Sequence, residues 1–80
     1  KKTPLLVLNT SRNKVIGSMR VPDHVKFDAG EFLEKCSNLI ESAHGGGHEK
    51  AAGISFNEED LDDFLDIIRN KSYKMLKERN

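Results

Sequence analysis

The sequence predicts a small α+β domain: a mixed sheet with helices packed on it, in the order strand, strand, helix, glycine loop, strand, helix. Three observations predict it. Strand-like patterns occupy residues 5–8, 15–21 and 51–56, helical apolar stripes follow residues 28 and 57, and three consecutive glycines separate the first helix from the last strand. Eighty residues leave room for one small core, so residues 1–80 are read as a single domain.

Leu5 to Leu8 form a continuous apolar run bounded by Pro4 and Asn9-Thr10-Ser11. It is too short for a helix and reads as a buried strand. Asn9 to Asn13 is polar and turn-prone, and then Val15, Gly17, Met19 and Val21 alternate with Ile16, Ser18 and Arg20. That period of two makes a second strand closing a hairpin, ended by Pro22. Gly17 inside it would permit a bulge or the close approach of a backbone or ligand.

Asp28 followed three residues later by Glu31 is a helix-start signature in which side chains satisfy free amide donors. Phe32, Leu33, Cys36, Leu39, Ile40 and Ala43 continue as one apolar stripe, which predicts a helix over 29–43. Cys36 lies within the stripe and reads as a small buried hydrophobe. After Gly45-Gly46-Gly47-His48 comes a short strand, Ala51 to Phe56, small at its start and bulky at its end. Asn57 with Glu58, Glu59 and Asp60 then opens a second helix, with Leu61, Phe64, Leu65 and Ile68 as its buried stripe and Met75 and Leu76 prolonging it. Acids at its start and Arg69, Lys71, Lys74 and Lys77 toward its end suit the helix dipole.

The composition is 36% hydrophobic and 32% charged, which excludes a bilayer-spanning run of about twenty apolar residues. Thirteen bases against thirteen acids argue against a nucleic-acid binder held by bulk positive charge. The charge is nevertheless segregated. Residues 1–26 carry six bases against Asp23, residues 27–66 two bases against eleven acids, and residues 67–80 five bases against Glu78. Such blocks are most simply solvated helix faces, and they also leave room for a locally positive surface. One cysteine cannot make an internal disulfide, and no charged-then-apolar leader opens the sequence; a reducing, cytoplasmic setting without a membrane is the expectation.

The segment His44 to Gly53 resists a purely structural explanation. A helix end asks for one left-handed glycine, and three in succession cost backbone entropy unless the main chain must press against something. Amide hydrogens turned outward would make an anion cradle, and phosphate is the natural anion. Because the run follows the C-terminal, negative end of the first helix, it is not a helix-N-terminus phosphate site, and its positive charge has to come from elsewhere. His48 can donate a ring hydrogen bond, Lys50 can add charge, and Arg20, beside Ser18, offers a planar fork that matches phosphate. Zinc held by Cys36, His44 and His48 is disfavoured, since the glycines break the helical spacing and a fourth ligand is missing. A nucleophile pair of Ser18 or Cys36 with His48 has nothing to position it. Phe27, Phe32, Phe56, Phe64 and Tyr73 fall mostly on core stripes, which leaves little for base stacking.

Gly45-Gly46-Gly47-His48-Glu49-Lys50-Ala51-Ala52-Gly53 resembles the GGGHxxAAG signature of the DHHA1 domain, the carboxy-terminal module of DHH-family phosphoesterases. Gly17-Ser18-Met19-Arg20 is similar to the Gly-Ser-x-Arg segment of the RecJ-like single-strand exonucleases in that family. Val21 stands where the bacterial RecJ pattern has Ser, which brings archaeal RecJ-like proteins nearer. The resemblance implies that residues 1–80 are one substrate-binding domain of a longer phosphoesterase. It would grip the phosphate of single-stranded nucleic acid or a short oligonucleotide through Gly45, Gly46, Gly47 and His48, with Arg20 and Ser18 assisting and Lys50, Ala51, Ala52 and Gly53 in support. Catalytic residues and Mn²⁺ or Mg²⁺ would belong to a separate DHH domain in the same chain. The 80 residues alone are expected to hold no cofactor and to cleave nothing. Two alternatives remain: a module of an oligoribonuclease or cyclic-dinucleotide phosphodiesterase, and a tRNA-binding domain resembling the glycine-rich tail of alanyl-tRNA synthetases.

Overall fold

The computed structural model describes residues 3–79, with side chains described through residue 70. Four strands, β1 (Leu5–Ser11), β2 (Lys14–Arg20), β3 (His44–Gly47) and β4 (Ala51–Asn57), form one sheet in the order β1-β2-β4-β3. Helix α1 (Ala29–Ser37) lies between β2 and β3 in the chain, and one 3₁₀ turn (Glu58–Asp60) leads into α2 (Leu61–Arg79). The expected α+β class is observed, but every strand pair is antiparallel, so the sheet is not mixed. The expected glycine loop is itself a strand. His44 to Gly47 turns back at His48–Ala51 and pairs with β4, which needs no crossover.

The first hairpin is tighter than its sequence suggests. Asn9, Thr10 and Ser11 continue β1, and only Arg12 and Asn13 make the turn, at φ 52° and 66°. Positive φ at both central residues matches the right-handed twist of the strands it joins. The register runs unbroken from Leu5 opposite Arg20 to Ser11 opposite Lys14, without a bulge. Gly17 faces the core, where an added Cβ would lie 2.7 Å from Leu8 Cδ2 and 3.1 Å from Ile54 Cγ2. Its missing side chain makes room for neighbouring core residues.

Both helices cover one face of this sheet. From that face Val15, Met19, Ile54 and Phe56 meet Phe32, Leu33 and Cys36 of α1 and Phe64 of α2, all buried. The Phe56 and Phe64 rings sit 4.6 Å apart between centroids, an aromatic pair worth about 0.5–1.5 kcal/mol beyond its buried area. Cys36 is fully buried in this cluster, as the stripe predicts. In contrast, β1 is not the buried strand expected. As an edge strand with one face covered, it turns Leu6 and Leu8 inward and leaves Leu5 and Val7 exposed.

The first helix ends six residues earlier than its apolar stripe. Asp28 caps its start by accepting from the Glu31 amide at 2.9 Å, as read from the sequence. At the other end Ser37 Oγ donates to the Glu34 carbonyl, and the chain continues in i→i−3 turns at Leu39, Ile40 and Ala43. This tighter winding changes the phase of the stripe. Ile40 and Ala43 remain in the core while Leu39 swings out to solvent. In α2 the phase is also shifted: Phe64 is buried, Leu61, Ile67 and Ile68 are half-buried, and Leu65 is exposed. Tyr73, Met75, Leu76 and the late bases lie outside the residues whose side chains are described. Among the described residues no helix is long and apolar enough to cross a membrane.

Candidate functional site

Opposite residues in an antiparallel pair point to the same face, so the register assembles the uncovered side of the sheet row by row. Arg20 stands opposite Leu5 and Ala51; Ser18 lies between Val7 and Gly53, and Gly53 is opposite Gly46. In the next row, Ile16 is flanked by Asn9 and Ser55, and Ser55 faces His44. The predicted residues Ser18, Arg20, Gly46, Ala51 and Gly53 therefore share one face, within about 10–15 Å at ~4.8 Å per strand. His48 is exposed at the hairpin tip beside them.

The three glycines have different physical reasons. An added Cβ at Gly45 would come within 2.8 Å of the Leu33 carbonyl oxygen, so this glycine lets α1 press on β3. Gly47, at φ 144°, would bring a Cβ to 2.7 Å from Ala52 Cα. Part of the close approach read from the sequence is thus the chain against itself. Gly46 differs: its φ of 151° favours glycine, and a Cβ built there meets nothing within 4 Å. It opens onto the uncovered face, in line with Gly53 and Ser18. Ala52 shares the inner side with Gly47 and is half-buried.

The reading that helix α1 turns its negative end to the glycines is corrected by the hairpin's path. After α1 the chain reverses, and β3 runs back along the helix from Leu33 toward Gly30. The tip consequently meets the helix start. The Ala29 amide donates to the Glu49 carbonyl at 2.7 Å and the Gly30 amide to the His48 carbonyl at 3.0 Å. Two of the amides that a helix N-terminus leaves unpaired are taken by the tip, and the positive end of the dipole underlies His48. Gly30 permits this contact, since a Cβ there would sit 2.4 Å from the Gly47 carbonyl oxygen. The sequence reading missed Gly30; a glycine in the first turn of a helix was the available signal.

Lys50 is half-buried and its ammonium donates to the Val25 carbonyl, tying the tip to the segment after β2. The Val21 amide donates to the Lys50 carbonyl at 3.0 Å, which extends the pairing of β2 and β4 past Arg20. Arg20 and Lys50, with Thr3, Leu5, Pro22 and Asp23, border an open cavity of about 450 Å³. Arg20 is exposed, and neither it nor His48 takes part in an ion pair among the described residues.

Cys36, His44 and His48 do not converge: the thiol is in the core, His44 is on the uncovered face and His48 at the tip. Among the described residues no group of three or more His, Cys, Asp or Glu is placed to hold a metal ion. The divalent ions of the resemblance therefore have no fitting donor set in these residues. What the arrangement offers is hydrogen-bond donors and positive charge beside a stretch of backbone open to close approach. Against known proteins, the family model described as the DHHA1 domain matches residues 1–73. Among curated proteins, none matches significantly.

Proposed function

The chain belongs to the DHHA1 domain family, a family associated with DHH phosphoesterases, and from that premise we propose that it is a phosphate-gripping module for single-stranded nucleic acid. In this reading it serves a RecJ-like exonuclease of the archaeal type. The strand's phosphate sits over Gly46 and Gly53. His48 approaches from the tip, Arg20 and Ser18 from β2, and α1's positive end adds a favourable field. Hydrolysis belongs to a DHH domain elsewhere in the enzyme, which would carry the Mn²⁺ or Mg²⁺.

The observation that carries this reading is the opening at Gly46. It is the member of the tri-glycine run whose missing side chain is not accounted for by the chain's own packing, and it lies in the row of Ser18 and Gly53. Anions recognised by backbone and small side chains need such an approach. A second support is charge: β1 to β4 contain Lys14 and Arg20 and no Asp or Glu.

Titration of the ¹⁵N-labelled chain with inorganic phosphate and with an oligothymidylate tests the reading. The amides of Gly45 to His48 and Ser18 are expected to shift, with the response weakened in His48→Ala. Shifts confined to α2, or a response indifferent to His48, would rule it out.

A further inference from the structure

The uncovered face does not end at the glycines. Lys14 and Arg20 are the first and last outward residues of β2, six positions apart, which is roughly 20 Å at strand spacing. Both are exposed, and neither is in an ion pair among the described residues. Between them lie Ser18 and Ile16. The acids, so numerous in the sequence, all fall on helices, turns and connecting segments, so none projects from a strand into this face.

The same face carries three of the large apolar side chains that the core leaves outside, Leu39 and Leu65 lying elsewhere. Leu5 is 60% exposed, Val7 47% and Ile16 56%. Their register places them side by side, Leu5 beside Arg20, Val7 beside Ser18 and Ile16 in the following row. An aliphatic shelf alone does not identify an occupant. A shelf flanked by a cation at either end, on strands without carboxylates, fits a polyanion with apolar parts: charge for the phosphates, aliphatic carbon for sugar and base faces. The nearest acids, Asp23 beside Arg20 and Glu58 and Glu59 beside Lys14, lie beyond the strand ends.

We propose that Lys14 and Ile16 form a second subsite, joined to the glycine end by the shelf of Leu5 and Val7, so that a single strand lies along β2 from the glycine end to Lys14. This rests on the phosphate-gripping reading and adds a length requirement to it. At about 3.4 Å per stacked nucleotide, 20 Å spans roughly six nucleotides, and fewer if the strand is stretched. A dinucleotide reaches the glycine end alone. Since the shelf is aliphatic, contact with bases is weak and tolerant of sequence, unlike the stacking platforms built from aromatic rings.

The test compares three ligands on the same labelled chain: inorganic phosphate, a thymidine dinucleotide and an oligothymidylate of about eight nucleotides. All three are expected to move the amides of Gly45 to His48, and only the longest to move Lys14 and Ile16 as well. Lys14→Ala is expected to bind the long strand roughly three- to tenfold more weakly. Its plot of log affinity against log salt should be shallower by about 0.7, one phosphate contact on a single strand. Phosphate and dinucleotide should bind it as they bind the native chain. Ile16→Ser, on an exposed position, should weaken the long strand without altering the salt slope. If the long strand moves the glycine amides but leaves Lys14 and Ile16 still, and Lys14→Ala binds it normally, the subsite is refuted while the glycine site stands. If no ligand moves Gly45 to His48, the underlying reading fails and this one with it. If Leu5, Val7 and Ile16 shift with protein concentration alone, the shelf is a contact between copies of the chain and the proposal is overturned.

Discussion

Replacing Gly30 by alanine separates local propensity from packing, because the two predict opposite signs. In a solvent-exposed helix the change stabilises by up to about 1 kcal/mol. Here the added methyl would lie 2.4 Å from the Gly47 carbonyl oxygen, 2.8 Å from its carbon and 3.2 Å from the His48 carbonyl oxygen. These are backbone atoms, so no rotamer relieves the overlap, and the helix start must retreat by about 1 Å to reach ordinary van der Waals separation. Overpacking of this kind costs about 1–3 kcal/mol. Retreat also stretches the Gly30 to His48 hydrogen bond, now 3.0 Å, at about 1 kcal/mol. After the helical gain, a net loss of about 1–3 kcal/mol remains, which for a domain of this size is a fall in Tm of roughly 4–24 °C. Thermal unfolding followed by circular dichroism measures it, with the amide shifts of Gly47 and His48 reporting where the change is felt. A raised Tm with an undisturbed hairpin tip would refute the account of how α1 meets β3.

Two further outcomes concern the frame. Asp28→Ala removes the acceptor for the Glu31 amide and should cost about 0.5–2 kcal/mol by denaturant titration, with faster hydrogen exchange in the first turn of α1. Cys36, fully buried, should react with an aromatic disulfide reagent only as fast as the domain unfolds; rapid reaction under native conditions would place the thiol outside the core.

The sequence made strands visible where one face is apolar and the other polar, as in β2, and helices where a cap precedes a stripe, as in Asp28 ahead of Phe32. It misled where tertiary context decides. The run Leu5 to Leu8 has the texture of a strand covered on both faces, yet an edge position leaves half of it in water, since nothing local records how many neighbours a strand has. The stripe through Ala43 stays apolar after the backbone has left α-helical winding, so its periodicity outlasts the helix. Glycine carries almost no strand signal, and β3 was legible only as an irregularity. The candidate site residues Gly46, Gly53, Ser18 and Arg20 were found individually by residue chemistry, but their alignment across three strands is a property of register. Gly30 escaped because its partner, the Gly47 carbonyl, lies seventeen residues on.

The two backbone hydrogen bonds between the start of α1 and the hairpin tip have a thermodynamic corollary. A loop that wanders when empty must surrender that freedom on each encounter, and the loss is subtracted from whatever its contacts provide. Residues 48 and 49 are moored from beneath by Ala29 and Gly30 and closed across by Ala51, so the imidazole stands on backbone that was ordered once, when the domain folded. Weakening that mooring should reduce affinity with every atom that faces the ligand left in place.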